Sequence, residues 1–221
     1  MIPRSLLQQQ AYDFIKKKIL SFEFVPGNMY SETKLAAEAG ISRTPMRDAL
    51  QWLSQDGYIT IVPSKGFQIR ELTSKGMVEA IQVRCAIEGF STSHIVEDIE
   101  TPKAQELLAT LEYLVSQMEL YKEKASFDHE ALALFIDFDH RFHLKLVEYV
   151  GNSEFEKLYQ RLMYTIRLTS SEALANTWRI QETYDEHRKY LDALKKGKAH
   201  DAYTTLINHL MMPMKLANLV K

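Results

Sequence analysis

Residues 31–50 read SETKLAAEAGISRTPMRDAL, and the punctuation of this stretch decides the fold. Ser31 stands where an N-cap accepts from the first turn of a helix, and Glu32 follows where the helix dipole favours a negative charge. That helix runs to about Glu38, and Gly40 ends it. Ser42 caps the next helix, with Pro45 in its first turn, where a missing N–H costs little. Met46, Ala49, Leu50 and Leu53 recur at i, i+3, i+4 and i+7, one apolar stripe that must face a core. Arg43 and Arg47, four apart, share a different face. Gly57 stops the helix.

Working outward, residues 7–21 carry Ala11, Phe14, Ile15, Ile19 and Leu20 near helical spacing, with Lys16, Lys17 and Lys18 mostly on the other side. Pro26-Gly27-Asn28 is a turn. Downstream, residues 58–62 and 67–70 read as two strands joined by Pro63-Ser64-Lys65-Gly66, a hairpin by composition. Helix, helix–turn–helix and two-stranded hairpin in that order predict a winged helix over residues 1–70. The second helix of a helix–turn–helix lies in the major groove, its N-terminal residues at base edges. Here that end presents Ser42, Arg43, Thr44 and Arg47. Arginine pairs with guanine O6 and N7 through two donors, and the hydroxyls suit phosphate or base contacts. Lys65, at the hairpin tip beside Gly66, is placed to reach a phosphate or the minor groove. The plainer reading makes Arg43 and Arg47 a solvated helix face; the wing and the two capped helices weigh against it.

The charge distribution agrees. Over 221 residues the net charge is −2, yet residues 1–70 hold nine Lys/Arg against six Asp/Glu, or +3, leaving 18 against 23, or −5, for the remainder. A basic head on an acidic body suits a nucleic-acid-binding module joined to something else. The single Cys85 excludes an intramolecular disulfide framework and fits a reducing compartment. No apolar run approaches the roughly 20 residues of a membrane span. The start MIPRSLLQQQ lacks the apolar region of a secretory signal. The expectation is a soluble, cytoplasmic protein without a membrane partner.

Residues 71–76 read as a short polar linker to a second domain at 77–221. There the pattern predicts helices at about 77–97, 102–122, 128–149, 153–174, 178–196 and 199–212, an all-α bundle. The fold class is therefore mainly α, an N-terminal winged helix–turn–helix plus a C-terminal helical bundle. Asp139 and His143 lie four apart on one helix, hence on one face, beside the larger stripe of Phe135, Phe138, Phe142, Leu146 and Tyr149. An antiparallel helix pair turning at Gly197 places His187 and His209 at levels differing by only about 3 Å. One Asp and three His pointing inward make a site for a divalent ion, zinc first, nickel or manganese next. The alternative is a set of satisfied core residues forming a hydrogen-bonded network. His94, His129 and His200 read as surface or helix-end residues.

Residues 31–36 followed by 40–50 resemble the DNA-binding signature of the GntR family of bacterial transcription regulators. The resemblance covers roughly residues 8–70, and it implies operator contacts by Arg43, Arg47, the intervening Thr44 and the wing glycine Gly66. Where relatives often carry an arginine early in the second helix, this chain has Thr33, with Lys34 beside it, so that contact is either lost or taken over by Lys34. The resemblance continues in Asp139-His140-Arg141-Phe142-His143-Leu144, Gly151-Asn152, Glu186-His187, His209 and Arg84-Cys85-Ala86-Ile87-Glu88. These are similar to the effector-binding FCD domain of the FadR-like branch. In its metal-containing members the ligands stand at the positions of Asp139, His143, His187 and His209; His140 is outside that pattern. Such members commonly bind small carboxylates or sugar acids at the ion. Arginine grips carboxylates bidentately, which makes Arg84 a candidate effector anchor; the alternative is an Arg84–Glu88 i, i+4 ion pair on the helix surface.

The sequence thus predicts a non-enzymatic, homodimeric transcription regulator, a repressor by family habit. It reads a pseudo-palindromic double-stranded operator, with one divalent ion per chain and a small carboxylate or sugar-acid effector. The rival is a metal-dependent hydrolase or isomerase with an appended DNA-binding head, for which Glu186 is the nearest but poor candidate base.

Overall fold

A computed structural model of the chain describes residues 4–21 and 23–220, with side chains from Leu6 onward. The outermost residues of the two expected domains, 1–3 and 221, lie outside the described residues, as does the Arg4 side chain counted in the basic head. The chain divides into two compact units, Met1–Thr73 and Ser74–Lys221.

The first unit comprises α1 (Arg4–Leu20), β1 (Met29–Tyr30), α2 (Glu32–Glu38), α3 (Arg43–Gln55), β2 (Ile59–Val62) and β3 (Gly66–Ile69). The apolar stripe of α3 is buried as its spacing predicts, Met46, Ala49, Leu50 and Leu53 packing with Ala11, Ile15 and Ile19 of α1. The Tyr12 hydroxyl donates to Asp56 at 2.6 Å and pins α1 to the end of α3. Ser31 caps α2, accepting from the Lys34 amide at 3.4 Å. Ser42 occupies the N-cap position of α3 but makes no capping bond. The cap hydroxyl would bond the second or third helical N–H, and the third residue is Pro45, which has none.

The hairpin is antiparallel, with Val62 opposite Gly66 and Ile59 opposite Ile69. A third strand, β1, pairs with β3 to give the order β1-β3-β2. At two residues, β1 is too short to show any alternation in sequence. Gly66 opens β3. It holds φ +118°, and a Cβ there would lie 2.1 Å from the Tyr30 carbonyl oxygen. The glycine is what lets β1 close on β3.

The second unit is α4 (Ser74–Glu97), α5 (Pro102–Tyr121), a 3-10 turn (Lys124–Ser126), α6 (His129–Val150), α7 (Ser153–Leu174), α8 (Trp178–Lys195) and α9 (Ala199–Leu216). Thr101, Asp128 and Asn152 cap α5, α6 and α7 with their side chains. Helix α4 starts at Ser74, so Ser74, Lys75 and Gly76 of the expected linker are helical. One glycine costs a helix about 1 kcal/mol, less than a turn that buries Met77, Ala80 and Ile81 returns. Likewise α9 does not end at 212. It passes through Pro213, giving up one backbone bond, and buries Met214 beyond it. All five residues of the α6 stripe are in the core, packed with Leu111, Leu114, Tyr190, Leu194, Leu206 and Leu210. Among the described residues no helix is long and apolar enough to cross a membrane.

Replacing Gly66 with alanine forces either the φ or the Tyr30 contact to yield. The expected loss is about 1–3 kcal/mol of stability, read as a lowered urea midpoint of the full chain; an unchanged midpoint would remove the close approach from the account of the wing.

Candidate functional site

Helix α4 carries two charged side chains into an apolar bundle: Arg84 and Glu88 are both buried. Buried charges must be paired, and following their partners leads to the site. Glu88 accepts from Arg84 Nε at 2.8 Å and lies 2.6 Å from Nδ1 of His143 on α6; the Tyr159 hydroxyl of α7 adds a bond at 3.3 Å. Burial pushes Glu88 above the usual carboxylate range against the pull of Arg84.

His143 turns its other nitrogen to the centre of the bundle, as do two more histidines. His187 of α8 holds its Nδ1 2.7 Å from the Thr183 carbonyl oxygen, and His209 of α9 has its Nδ1 2.7 Å from Glu186. Carbonyl and carboxylate oxygens only accept, so each Nδ1 carries the proton and each Nε2 presents a lone pair. Nε2 of His143 and of His209 face each other at 3.1 Å, and Nε2 of His187 is 3.3 Å from Asp139 Oδ1. The four donor atoms of Asp139, His143, His187 and His209 all lie within 4.8 Å of one another. Nε2 of His187 has no hydrogen-bond partner although it is buried. Two opposed lone pairs, an unpartnered imine nitrogen and a carboxylate stand close enough together to chelate a cation. The outer oxygens fix each ring's tautomer and direction, the usual support of a metal-ligating histidine.

The electrostatics disfavour protonation of Asp139, His143 and His187. Burial pushes His187 down to about 4 and His143 well below its ordinary value. Burial opposes ionisation of Asp139, but positive charge on His143 or His187 would outweigh it and draws the carboxyl below the usual range, so any proton in the cluster rests on a ring and not on the carboxylate. Glu186 is held down to about 2: burial works against its charge, and the bonds from His209 and Arg179 prevail. Glu186 is thus a committed acceptor, not a base at rest.

The other residues singled out from sequence sort clearly. Arg84 does pair with Glu88, but inside the protein and not on its surface, and its Nη2 is buried without a partner. His140 is outside the four-residue set, its Nε2 lying 3.1 Å from the Ser170 hydroxyl and 3.9 Å from Asp139 Oδ2. His129 and His200 are exposed, and His94 is half-buried. In the first unit Lys34, Ser42, Arg43, Thr44, Arg47 and Lys65 are all exposed, and Lys34 and Lys65 line one hollow of about 480 Å³. Arg43 and Arg47 are not free: Glu32 of α2 holds Arg47 through two bonds at 3.1 and 3.3 Å and lies 3.5 Å from Arg43. The sequence reading missed Glu32, Glu88, Arg179 and Glu186 as a supporting layer. For Glu88 the available signal was its i, i+4 relation to Arg84; Glu186, whose partners are Arg179 and His209, gave no comparable signal.

The sequence profile of the FCD domain matches residues 79–211, and that of the bacterial regulatory proteins, gntR family, matches residues 7–69. The chain belongs to the GntR regulators that carry an FCD domain. It is 26% identical over 200 residues to the HTH-type transcriptional regulator YdhC of Bacillus subtilis, covering 90% of this chain and 86% of that one. It is 28% identical to the gluconate operon transcriptional repressor of the same organism, over 84% of this chain and 74% of that one. Among solved structures, E. coli McbR/YncC has the same fold, with a TM-score of 0.79 at 20% identity over 99% of both chains. The relatives are regulators of transcription, so this GntR/FCD chain is a non-catalytic, DNA-binding regulator. The hydrolase or isomerase alternative is set aside. The Asp/His cluster is a candidate metal centre of the FCD domain.

Loss of an outer carboxylate should be felt at the ion. Glu88→Gln is expected to weaken zinc binding by about 10–100-fold in competition with a chromophoric chelator. Unchanged affinity would mean that Glu88 serves only to neutralise Arg84.

Proposed function

We propose that this regulator is a homodimeric repressor of the FadR-like branch whose grip on a pseudo-palindromic operator is set by a small carboxylate or sugar acid. The acid binds at a divalent ion, zinc first, held by Asp139, His143, His187 and His209, with Arg84 as a second anchor. The observation that carries this reading is the convergence of buried lone pairs described above, taken with the charges around it. Asp139, Glu88 and Glu186 bring three negative charges, Arg84 and Arg179 two positive ones, and a divalent ion two more. With the half-exposed Glu182 on Arg179 left out because solvent screens it, the loaded site has one positive charge in excess, and that excess favours an anion. The unpartnered Nη2 of Arg84 is a donor in want of an acceptor. The name of the gluconate operon repressor supports a sugar acid and a repressing role.

In the DNA-binding unit, Arg43, Thr44 and Arg47 read base edges in this account, and Ser42, whose hydroxyl is not consumed by a cap, is available to a phosphate. Lys34 and Lys65, together with the backbone at Gly66, hold the flanking phosphates. The bistable element connecting the two functions is the connection after residue 70 together with α4. That helix bears Arg84 and Glu88 and follows directly on residues 71–73.

An operator selected from a random duplex library supplies the test. Arg47→Ala should cost about 1–3 kcal/mol on that operator and relax its sequence preference. Lys65→Ala should weaken all duplexes alike and lower the salt slope by about one. In zinc-loaded protein D-gluconate or a related acid should shift operator affinity, and His187→Ala should bind the operator without responding to any acid. An equal response in wild type and His187→Ala would place sensing elsewhere.

A further inference from the structure

Arg179, the second residue of α8, is buried beside the candidate metal centre. Its guanidinium is 3.4 Å from Nδ1 of His209, directly behind a metal-ligating ring. A cation in that place opposes the binding of another cation, so any service it does the metal is indirect, through Glu186. Its partners are Glu186, gripped by both terminal nitrogens, one of them at 2.9 Å, and Glu182 at 3.3 Å. That is the two-pronged arrangement in which arginine recognises a carboxylate, filled by the protein's own side chain.

Arg179 also walls a cavity of about 30 Å³ with Asp139, Ser170, Thr183, His209 and Pro213. The cavity thus opens on two of the four presumptive ligands. A volume of this size holds about one or two waters, whereas small-molecule sites run to roughly 300 Å³ and more. Something at this wall must move before an acid can reach the ion. Arg179 is the side chain at the wall whose partner has the same chemistry as the acid.

We propose that Arg179 is a specificity-determining anchor for the effector carboxylate and that Glu186 is its resident occupant, displaced when the acid enters. This rests on the reading that an acid binds at the metal centre. Glu186 is an internal competitor: it keeps the guanidinium neutralised and oriented, and it sets a threshold that only an acid also bound to the ion overcomes. The exchange substitutes one carboxylate for another on Arg179, with no covalent step. It also frees Glu186, the acceptor that fixes His209, so effector binding is transmitted to a ligand on α9.

The test uses the full chain loaded with one equivalent of zinc and titrated calorimetrically with D-gluconate and with citrate. Glu186→Gln keeps an oxygen to accept from His209 but is a weaker rival for the guanidinium, so acid binding should tighten by about tenfold. Arg179→Gln should weaken it by about tenfold, and Arg179→Lys, which keeps the charge and loses the fork, should fall between. Glu182→Gln is the control for charge alone and should change little, because Glu182 is half-exposed. Elemental analysis should find about one zinc per chain in every variant; if Arg179→Gln sheds zinc or fails to fold, the sign of the Glu186→Gln change decides. Weakening by both Glu186→Gln and Arg179→Gln makes the pair a structural bridge and overturns the proposal. Equal tightening by Glu182→Gln and Glu186→Gln overturns it in favour of a general field. Unchanged affinity in Arg179→Gln overturns it while leaving acid binding at the metal intact. Wild type that binds neither acid overturns it together with the reading beneath it.

Discussion

Three imidazole N–H groups are spent on oxygens behind them, and the rest of the bundle's interior follows from that constraint. Once His143, His187 and His209 give their Nδ1 protons to Glu88, the Thr183 carbonyl and Glu186, their Nε2 lone pairs have nowhere to point but inward. Two of the three outer oxygens are carboxylates that themselves need compensation in a low-dielectric core. Arg84 compensates Glu88, and Arg179 compensates Glu186. The buried charges of α4 and α8 are thus consequences of orienting neutral rings. A bundle built for stability alone would have had apolar side chains there, at less risk of leaving one charge unpaired.

The DNA-binding unit shows a related device on a solvated surface. Glu32, at the first turn of α2, draws Arg47 and Arg43 toward itself. Exposed ion pairs contribute little stability, typically under about 1 kcal/mol, so the pair is poorly explained as a fold contact. What it does is restrict two long side chains that would otherwise sample many rotamers, lowering the ordering cost of a contact made through them. The same carboxylate repels phosphates, which penalises loose association without base contacts. In the proposed role, Glu32 trades general affinity for discrimination.

Much of this was legible in the sequence because it rests on periodicity. The stripe Met46–Ala49–Leu50–Leu53, the six bundle helices and the i, i+4 pair Asp139/His143 are all statements about spacing on one helix. The height match of His187 and His209 follows from counting outward from Gly197, and the rings lie with centroids 4.6 Å apart. What escaped depends on which faces of different helices meet, which spacing does not encode. Arg84–Glu88 is the clearest case: the same i, i+4 pair is a surface bridge or a buried second layer according to the helix packed over it. The supporting Glu186 was hidden in a stretch of charged residues that reads as a solvated face. Local chemistry misled in two places. Ser42 has the composition of a cap but faces Pro45, which cannot donate, and Pro213 reads as a stop although α9 continues to bury Met214. β1 was below the length at which a strand leaves any pattern.

A tightly held ion and a switch are different things, and the site's two layers separate them. A metal bound with equal affinity in both arrangements of a two-state protein stabilises the fold and shifts nothing between them, however strong its bonds. The donor set Asp139, His143, His187 and His209 comes from α6, α8 and α9, elements that pack into one core, so it suits a permanent tie. The outer layer is different in kind. Glu88 and Arg84 sit on α4, the helix that continues from the connection to the first unit, and Arg179, which holds Glu186, borders a small cavity that touches Asp139 and His209. An anion entering there interacts with groups whose pairing differs before and after, which is the differential free energy that a population shift requires. By linkage the operator must then act back on the anion by the same factor. In the proposed switch the ion is permissive, and the charge rearrangement behind its ligands carries the signal.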